Sequence, residues 1–309
     1  MVTLGSLILL VGSFIVGMII LREGLFRIAG DSMNHWLQHY TKTSVRGLIT
    51  GTICTGLLQS SSIVTVMTIG FVSTGILSFY QSIGIILGTN IGTTLTLEFL
   101  SFSVKQLSVP LLIIGICLTL FKEKNLISSG IICIGLAIIL LSMTGFESLS
   151  ASLSNSKWFL SMINSMKLYP LLALFIGIIF SSIVQSSTAT TVLAMSLLST
   201  QNIGINEGIL IMLGANIGTC ITGMIASIGS GEDARLTAWV HVWLNIISVG
   251  ACLPFTSYLG SISQQLSSDP AIQLAHASVL FNVVTSLIVL PFIKPFQSFI
   301  LFLHSNKIS

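Results

Sequence analysis

Apolar runs of about 20 residues, the length that crosses hydrocarbon, follow one another along this chain with short polar breaks. They show no period-two alternation, as in residues 131–141 (IICIGLAIILL), so membrane-spanning helices are predicted and barrel strands are not. The predicted spans are 4–21, 80–100, 107–121, 126–144, 208–228, 236–255 and 271–292. Segments 22–44 and 146–167 mix polar and apolar positions and read as interfacial helices, with Trp36, Tyr40, Trp158 and Tyr169 as anchors. Stretch 45–58 is too short to span: its 14 residues reach about 21 Å against roughly 30 Å of hydrocarbon. A Gln and three hydroxyl residues end it, a second short apolar helix follows, and the same arrangement recurs around residues 185–188. Each reads as a re-entrant helical hairpin, because polar backbone at membrane depth is tolerated only where protein or a cavity surrounds it.

The two hairpins belong to an internal duplication. Gln59-Ser60-Ser61 returns as Gln185-Ser186-Ser187, and Gly88-Thr89-Asn90-Ile91-Gly92-Thr93 returns as Gly214-Ala215-Asn216-Ile217-Gly218-Thr219, both at an offset of 126. Residues 59–93 laid on 185–219 give 15 identities in 35 positions without a gap, including Thr65 on Thr191. Shared hydrophobicity does not align polar residues in this way. The glycines and asparagines of the second motif predict an unwound turn, hence a broken span, in each unit. The predicted organisation is an N-terminal helix with an interfacial helix (1–44), a first unit (45–144), an interfacial linker (145–169) and a second unit (170–309).

Composition and charge narrow the class. Only 7% of the 309 residues are charged, against about 25% in soluble domains, and mean hydropathy is +0.99. The first run lacks a basic flank and a cleavage pattern, so it reads as a retained span. Cys54, Cys117, Cys133, Cys220 and Cys252 stand singly in apolar surroundings and read as buried, inert thiols. A hairpin returns to its own side, and three spans separate the two hairpins, so the units have opposite orientations. That path puts nine of the 12 basic residues on one side: Arg22, Arg27, Lys42, Arg46, Lys122, Lys124, Arg235, Lys294 and Lys307. Lys105, Lys157 and Lys167 fall on the other, so the positive-inside rule predicts an external N-terminus and a cytoplasmic C-terminus. Scattered basic residues give no nucleic-acid footprint.

The second helix of each hairpin begins at its hydroxyl cluster, so free N–H groups and a positive dipole end point into the membrane. Two such tips define an oxyanion cradle, with Ser60, Ser61, Ser62, Ser186, Ser187 and Thr188 adding hydroxyls. No intramembrane arginine is expected, since Arg46 lies at a hairpin mouth and the others in loops or at span ends. An anion entering a negative interior is opposed by about 2.3 kcal/mol per charge per 100 mV, which calls for co-transported cations. Gln59, Thr65, Asn90, Thr93, Gln185, Thr191, Asn216 and Thr219 offer the hard oxygen donors that sodium prefers. No other cofactor is implied. Glu98 lies inside a predicted span, and an interfacial charge or a functional one fits it equally; His241 and His276 read as hydrogen-bonded packing residues.

At these residues (QSSSIVT with GTNIGT, QSSTATT with GANIGT) the chain resembles the type II sodium-phosphate cotransporter family, bacterial branch. The resemblance covers residues 4–295 and includes RLTAWVHVWLN at 235–245 and AHASVLFN at 275–282. It implies an all-α membrane protein of two inverted repeats in the bacterial inner membrane. It also implies inorganic phosphate as substrate, sodium as driving ion and ligands at the hairpin tips. Animal members carry a His-Asp-Phe-Phe-Asn type segment whose Asp is tied to electrogenic coupling, whereas this chain has EFLSFSVKQLSVP at 98–110. Many bacterial relatives carry a C-terminal domain similar to PhoU, which this sequence does not show. The partners are then phosphate, sodium and lipid, with a homodimer as one open assembly. A carrier of sulfate or a small carboxylate is the alternative. An intramembrane serine hydrolase is the remotest reading, since no Gly-x-Ser-x-Gly elbow is present.

Overall fold

The computed structural model describes residues 2–102, 105–154 and 156–305; all regular elements among them are helical. The first, α1 (Val2–His39), is one uninterrupted helix of 38 residues, about 57 Å long. The expected interfacial helix over 22–44 is therefore not a separate element. No proline interrupts 22–39, and Gly24 serves contact, since a Cβ there would meet Ser128 O at 2.9 Å.

Two short helices follow, α2 (Ser44–Leu58) and α3 (Ser61–Ser73), packed on each other across the turn at Gln59-Ser60. Next comes α4 (Phe79–Ser101), opened by a capping box between Ser78 and Gln81. It runs straight through Asn90–Thr93, contrary to the expected unwound turn. Gly88 and Gly92 are needed for close approach: a Cβ at Gly88 would lie 2.1 Å from Leu48 O, and one at Gly92 would lie 2.6 Å from Thr52 O. The motif is a seam between α2 and α4.

Helix α5 (Ser108–Thr119) has 12 residues and is shorter than the span expected over 107–121, while α6 (Lys124–Leu153) has 30 and takes in the start of the expected linker. Ser128 is buried inside α6 with its hydroxyl on Lys124 O at 2.9 Å. Residues 103 and 104 of the 98–110 segment, and Lys307, lie outside the described residues. The linker is α7 (Lys157–Leu168), which buries Phe159, Ile163 and Met166 on one side and meets α8 (Pro170–Val184) at a bend of 117°.

The second unit repeats the first. Helix α8 and α9 (Ser187–Ser199) flank Gln185-Ser186, and α10 (Ile205–Gly218) and α11 (Cys220–Ala226) form one span interrupted only at Thr219. Here too the glycines make a seam: a Cβ at Gly214 would lie 2.1 Å from Leu174 O and one at Gly218 2.3 Å from Ile178 O. Leu174, Ile178 and Gly214 are the 126-residue images of Leu48, Thr52 and Gly88. Two long helices complete the chain, each interrupted at a Leu-Pro-Phe turn: α12 (Glu232–Cys252) with α13 (Thr256–Leu266), and α14 (Pro270–Val289) with α15 (Ile293–His304). By length and composition six helices can cross a bilayer, or seven if α7 and α8 form one span. Cys54 and Cys220 are buried, but Cys117 lies exposed on the apolar surface, so the thiols are not all interior as the sequence implied.

Candidate functional site

The turns that join α2 to α3 and α8 to α9 have the same backbone. Gln59 sits at φ 52°, ψ 33° and Gln185 at φ 54°, ψ 33°, both left-handed; Ser60 and Ser186 are extended at φ −158° and −149°. A non-glycine residue in the left-handed region costs of order 1 kcal/mol, and the same choice twice marks a geometry both tips need. The Ser60 hydroxyl accepts from Ile63 N at 3.3 Å and the Ser186 hydroxyl from Ala189 N at 3.2 Å, so these serines are the helix N-caps. The next two N–H groups, of Ser61 and Ser62 in one tip and Ser187 and Thr188 in the other, have no intrahelical acceptor. Ser61, Ser187 and Thr188 are buried and Ser62 is half-buried.

Each second helix packs into the other half of the molecule. Helix α3 lies against α11 and α12, and α9 against α4 and α6, besides α10 and α14 of its own unit. Around Gly223 of α11 the first crossing brings together two side chains with a buried polar atom that has no hydrogen-bond partner among the described residues, Thr65 (Oγ1) and His241 (Nδ1); Thr222 Oγ1, on the same helix as Gly223, is a third such atom. A Cβ at Gly223 would lie 3.3 Å from Thr65 Cγ2 and 3.8 Å from His241 Nδ1, so Thr65 and His241 face one small chamber. Buried polar atoms in native proteins are paired, and unpaired ones call for an explanation such as a ligand. His241 Nδ1 thus lacks, among the described residues, the partner that its reading as a hydrogen-bonded packing residue requires, and Thr222, the 126-residue image of Thr96, was not singled out as a ligand.

The remaining expected ligands divide. Thr93 gives its hydroxyl to Thr89 O of its own helix at 2.9 Å, and the Asn216 amide points to Met212 Sδ at 3.5 Å. Asn90 is half-buried, while Thr191 and Thr219 are buried. Glu98 and His276, 178 residues apart, meet at 2.7 Å between α4 and α14, which gives both a specific partner that no local pattern announces. Arg22 was also missed: it lies mid-way along α1 and its Nε donates to Gln59 O, at the first tip, at 3.3 Å. Arg22 therefore lies within a continuous helix rather than at the helix end, near residue 21, that the sequence implied.

An all-helical chain with six apolar spans and two like helical turns set into opposite halves is a multi-pass membrane protein with the architecture of a secondary transporter. The chain belongs to the Na+/Pi-cotransporter family, whose model matches twice in tandem, over residues 13–148 and 147–268. It is 37% identical over 300 residues to the protein YqeW of Bacillus subtilis, covering 97% of this chain and 98% of that protein. The phosphate-related relatives are more distant. The "putative inorganic phosphate export protein YjbB" of Escherichia coli is 26% identical over 300 residues; they are 97% of this chain and 55% of that protein, so the chain spans about half of it. Human "sodium-dependent phosphate transport protein 2B" is 33% identical over 150 residues, 45% of this chain and 21% of that protein. No solved structure matches.

Proposed function

We propose that this protein carries inorganic phosphate across the bacterial inner membrane, coupled to sodium, by alternating access. The observation that carries the reading is the pair of Gln-Ser turns, alike in every backbone angle, each presenting two free N–H groups and adjacent hydroxyls. In this proposal α2–α3 and α8–α9 are re-entrant hairpins in two inverted repeats (45–144 and 170–309), entering from opposite faces. Their tips hold the oxyanion through Ser60, Ser61, Ser62, Ser186, Ser187 and Thr188. Family membership and the relatives' names favour phosphate; the donors themselves select a small oxyanion. Sodium takes oxygen ligands from Gln59, Thr65, Asn90, Gln185, Thr191, Asn216 and Thr219, and the unpartnered Thr65 hydroxyl, one helical turn beyond the first tip, supports a cation there. Thr93 also contributes, because its hydroxyl donates to Thr89 O and keeps its oxygen lone pairs free for a cation.

Import follows if sodium is higher outside. A relative named for export is compatible with the same cycle, because a carrier's direction is set by the gradients on it. Labelled phosphate binding to purified protein in sodium, competed by unlabelled phosphate and resisted by excess sulfate, is the expected result. Equal competition by sulfate would move the assignment to another oxyanion.

The proposed topology needs α5 to cross, although its 12 residues cover only about 18 Å. Lys122, exposed just beyond it, then lies on the cytoplasmic side with both termini of the hairpin at 44–73. A cysteine at Lys122 in a cysteine-free background is expected to be protected from an impermeant thiol reagent in intact cells. Labelling there would put the second unit in the wrong orientation.

A further inference from the structure

Arg22 has no acidic partner. Its neighbour Glu23 is taken by Arg27 at 2.8 Å, and among the described residues the only group Arg22 meets is Gln59 O. Its side chain is half-buried, so a guanidinium stands with its Nε on a carbonyl and its two terminal amino groups unmatched.

Depth makes this charge significant. From Arg22 to the end of α1 at His39 is 17 residues, about 26 Å, and the chain then turns and enters α2, which runs about 21 Å from Ser44 to Leu58. The two segments lie side by side: Met33 and Leu37 of α1 share one buried cluster with Cys54 and Leu58 of α2. Arg22 therefore stands level with the first tip, and at whatever depth the tip sits, Arg22 sits too. Gln59 O belongs to the residue before the Ser60 cap, so the guanidinium is anchored on the same turn whose next N–H groups, of Ser61 and Ser62, have no intrahelical acceptor. The second tip has no counterpart. The 126-residue image of Arg22 is Ser148, exposed on α6 with its hydroxyl on Thr144 O at 3.0 Å.

We propose that Arg22 is a substrate-binding residue, the fixed positive charge of the oxyanion site, contributed by α1 to the first tip alone. The inference rests on the tips being that site. The site is then electrostatically one-sided: hairpin α2–α3 with Arg22 neutralises one charge of the anion through a planar fork suited to two oxygens, while hairpin α8–α9 offers only neutral donors. The tip carbonyl orients the fork through Nε, leaving the terminal amino groups for the ligand.

The test is phosphate uptake kinetics of the full chain in liposomes, with sodium saturating. Arg22→Gln is expected to raise the KM for phosphate about tenfold or more, the loss of a charge-assisted hydrogen bond, with Vmax retained. Arg22→Lys is expected to recover part of that affinity, and Arg27→Gln, which alters an exposed pair, to leave both constants unchanged. An unchanged KM with a fallen Vmax in Arg22→Gln would make Arg22 a strut for the turn and overturn the proposal. If Arg22→Gln does not fold, Arg22→Lys decides: a raised KM supports a ligand role and a wild-type KM refutes it. Absence of phosphate uptake by the wild type would remove the substrate reading itself, and this inference with it.

Discussion

Alanine at Gly88 or Gly214 is expected to eliminate most of the folded protein, as read by the fraction eluting as a single species in detergent and by Tm. A Cβ at either position would lie 2.1 Å from a backbone carbonyl, Leu48 O or Leu174 O, which no rotamer change can relieve. Overpacking that side chains can absorb costs about 1–3 kcal/mol; here α2 must separate from α4, or α8 from α10, so the effect exceeds that range. In a membrane the seam is held by close packing rather than by expulsion of water, so separation forfeits most of what joins the two helices. Gly70→Ala is the contrast: nothing lies within 4 Å of a Cβ there, and alanine is the better helix former, so stability is expected to hold or rise slightly. Equal behaviour of Gly70→Ala and Gly88→Ala would contradict the seam.

The second large effect concerns the tips. Ser61→Ala and Ser187→Ala are each expected to lower phosphate uptake about tenfold, and the double variant to abolish it, with folding intact. Both residues are buried at the first helical position, and among the described residues neither hydroxyl makes a hydrogen bond within the protein, so each is available to a ligand. Ser60 and Ser186 differ: they are engaged as caps, and Ser60→Ala is expected to cost about 1 kcal/mol of stability as well as activity. Ser152→Ala, exposed and bonded only to Ser148 O, serves as the control. Tip variants that match this control would leave the turns a purely structural device.

How far the sequence carries can be argued residue by residue. The Gln-Ser turns were legible because they interrupt helices too short to span and because a fixed offset repeats them, polar residues included. The glycine motif was found, and its expected break holds at Thr219 in the second unit but not in α4, since low helix propensity and tolerance of close packing are two properties of one residue. Propensity predicts a break in α4; only the neighbour, Leu48 O, shows that the glycine is there to admit α2. Arg22 was hidden by the mixed polarity of 22–39, which matches an interfacial helix as well as a long one packed along a hairpin. The Glu98–His276 contact spans 178 residues, and the chamber of Thr65 and His241 joins helices from both halves. Such groupings follow from how helices of the two units pack on each other, α3 on α11 and α12 and α4 on α14, and no local pattern encodes that.

Uptake of labelled phosphate into proteoliposomes, compared under inward sodium, lithium and proton gradients on one preparation, tests the central claim most directly. Accumulation above equilibrium with sodium, little with lithium and none with a proton gradient alone is the result expected of two opposed tips serving phosphate and sodium together. Accumulation driven equally by the proton gradient, or none in any gradient by protein that remains folded, would contradict it.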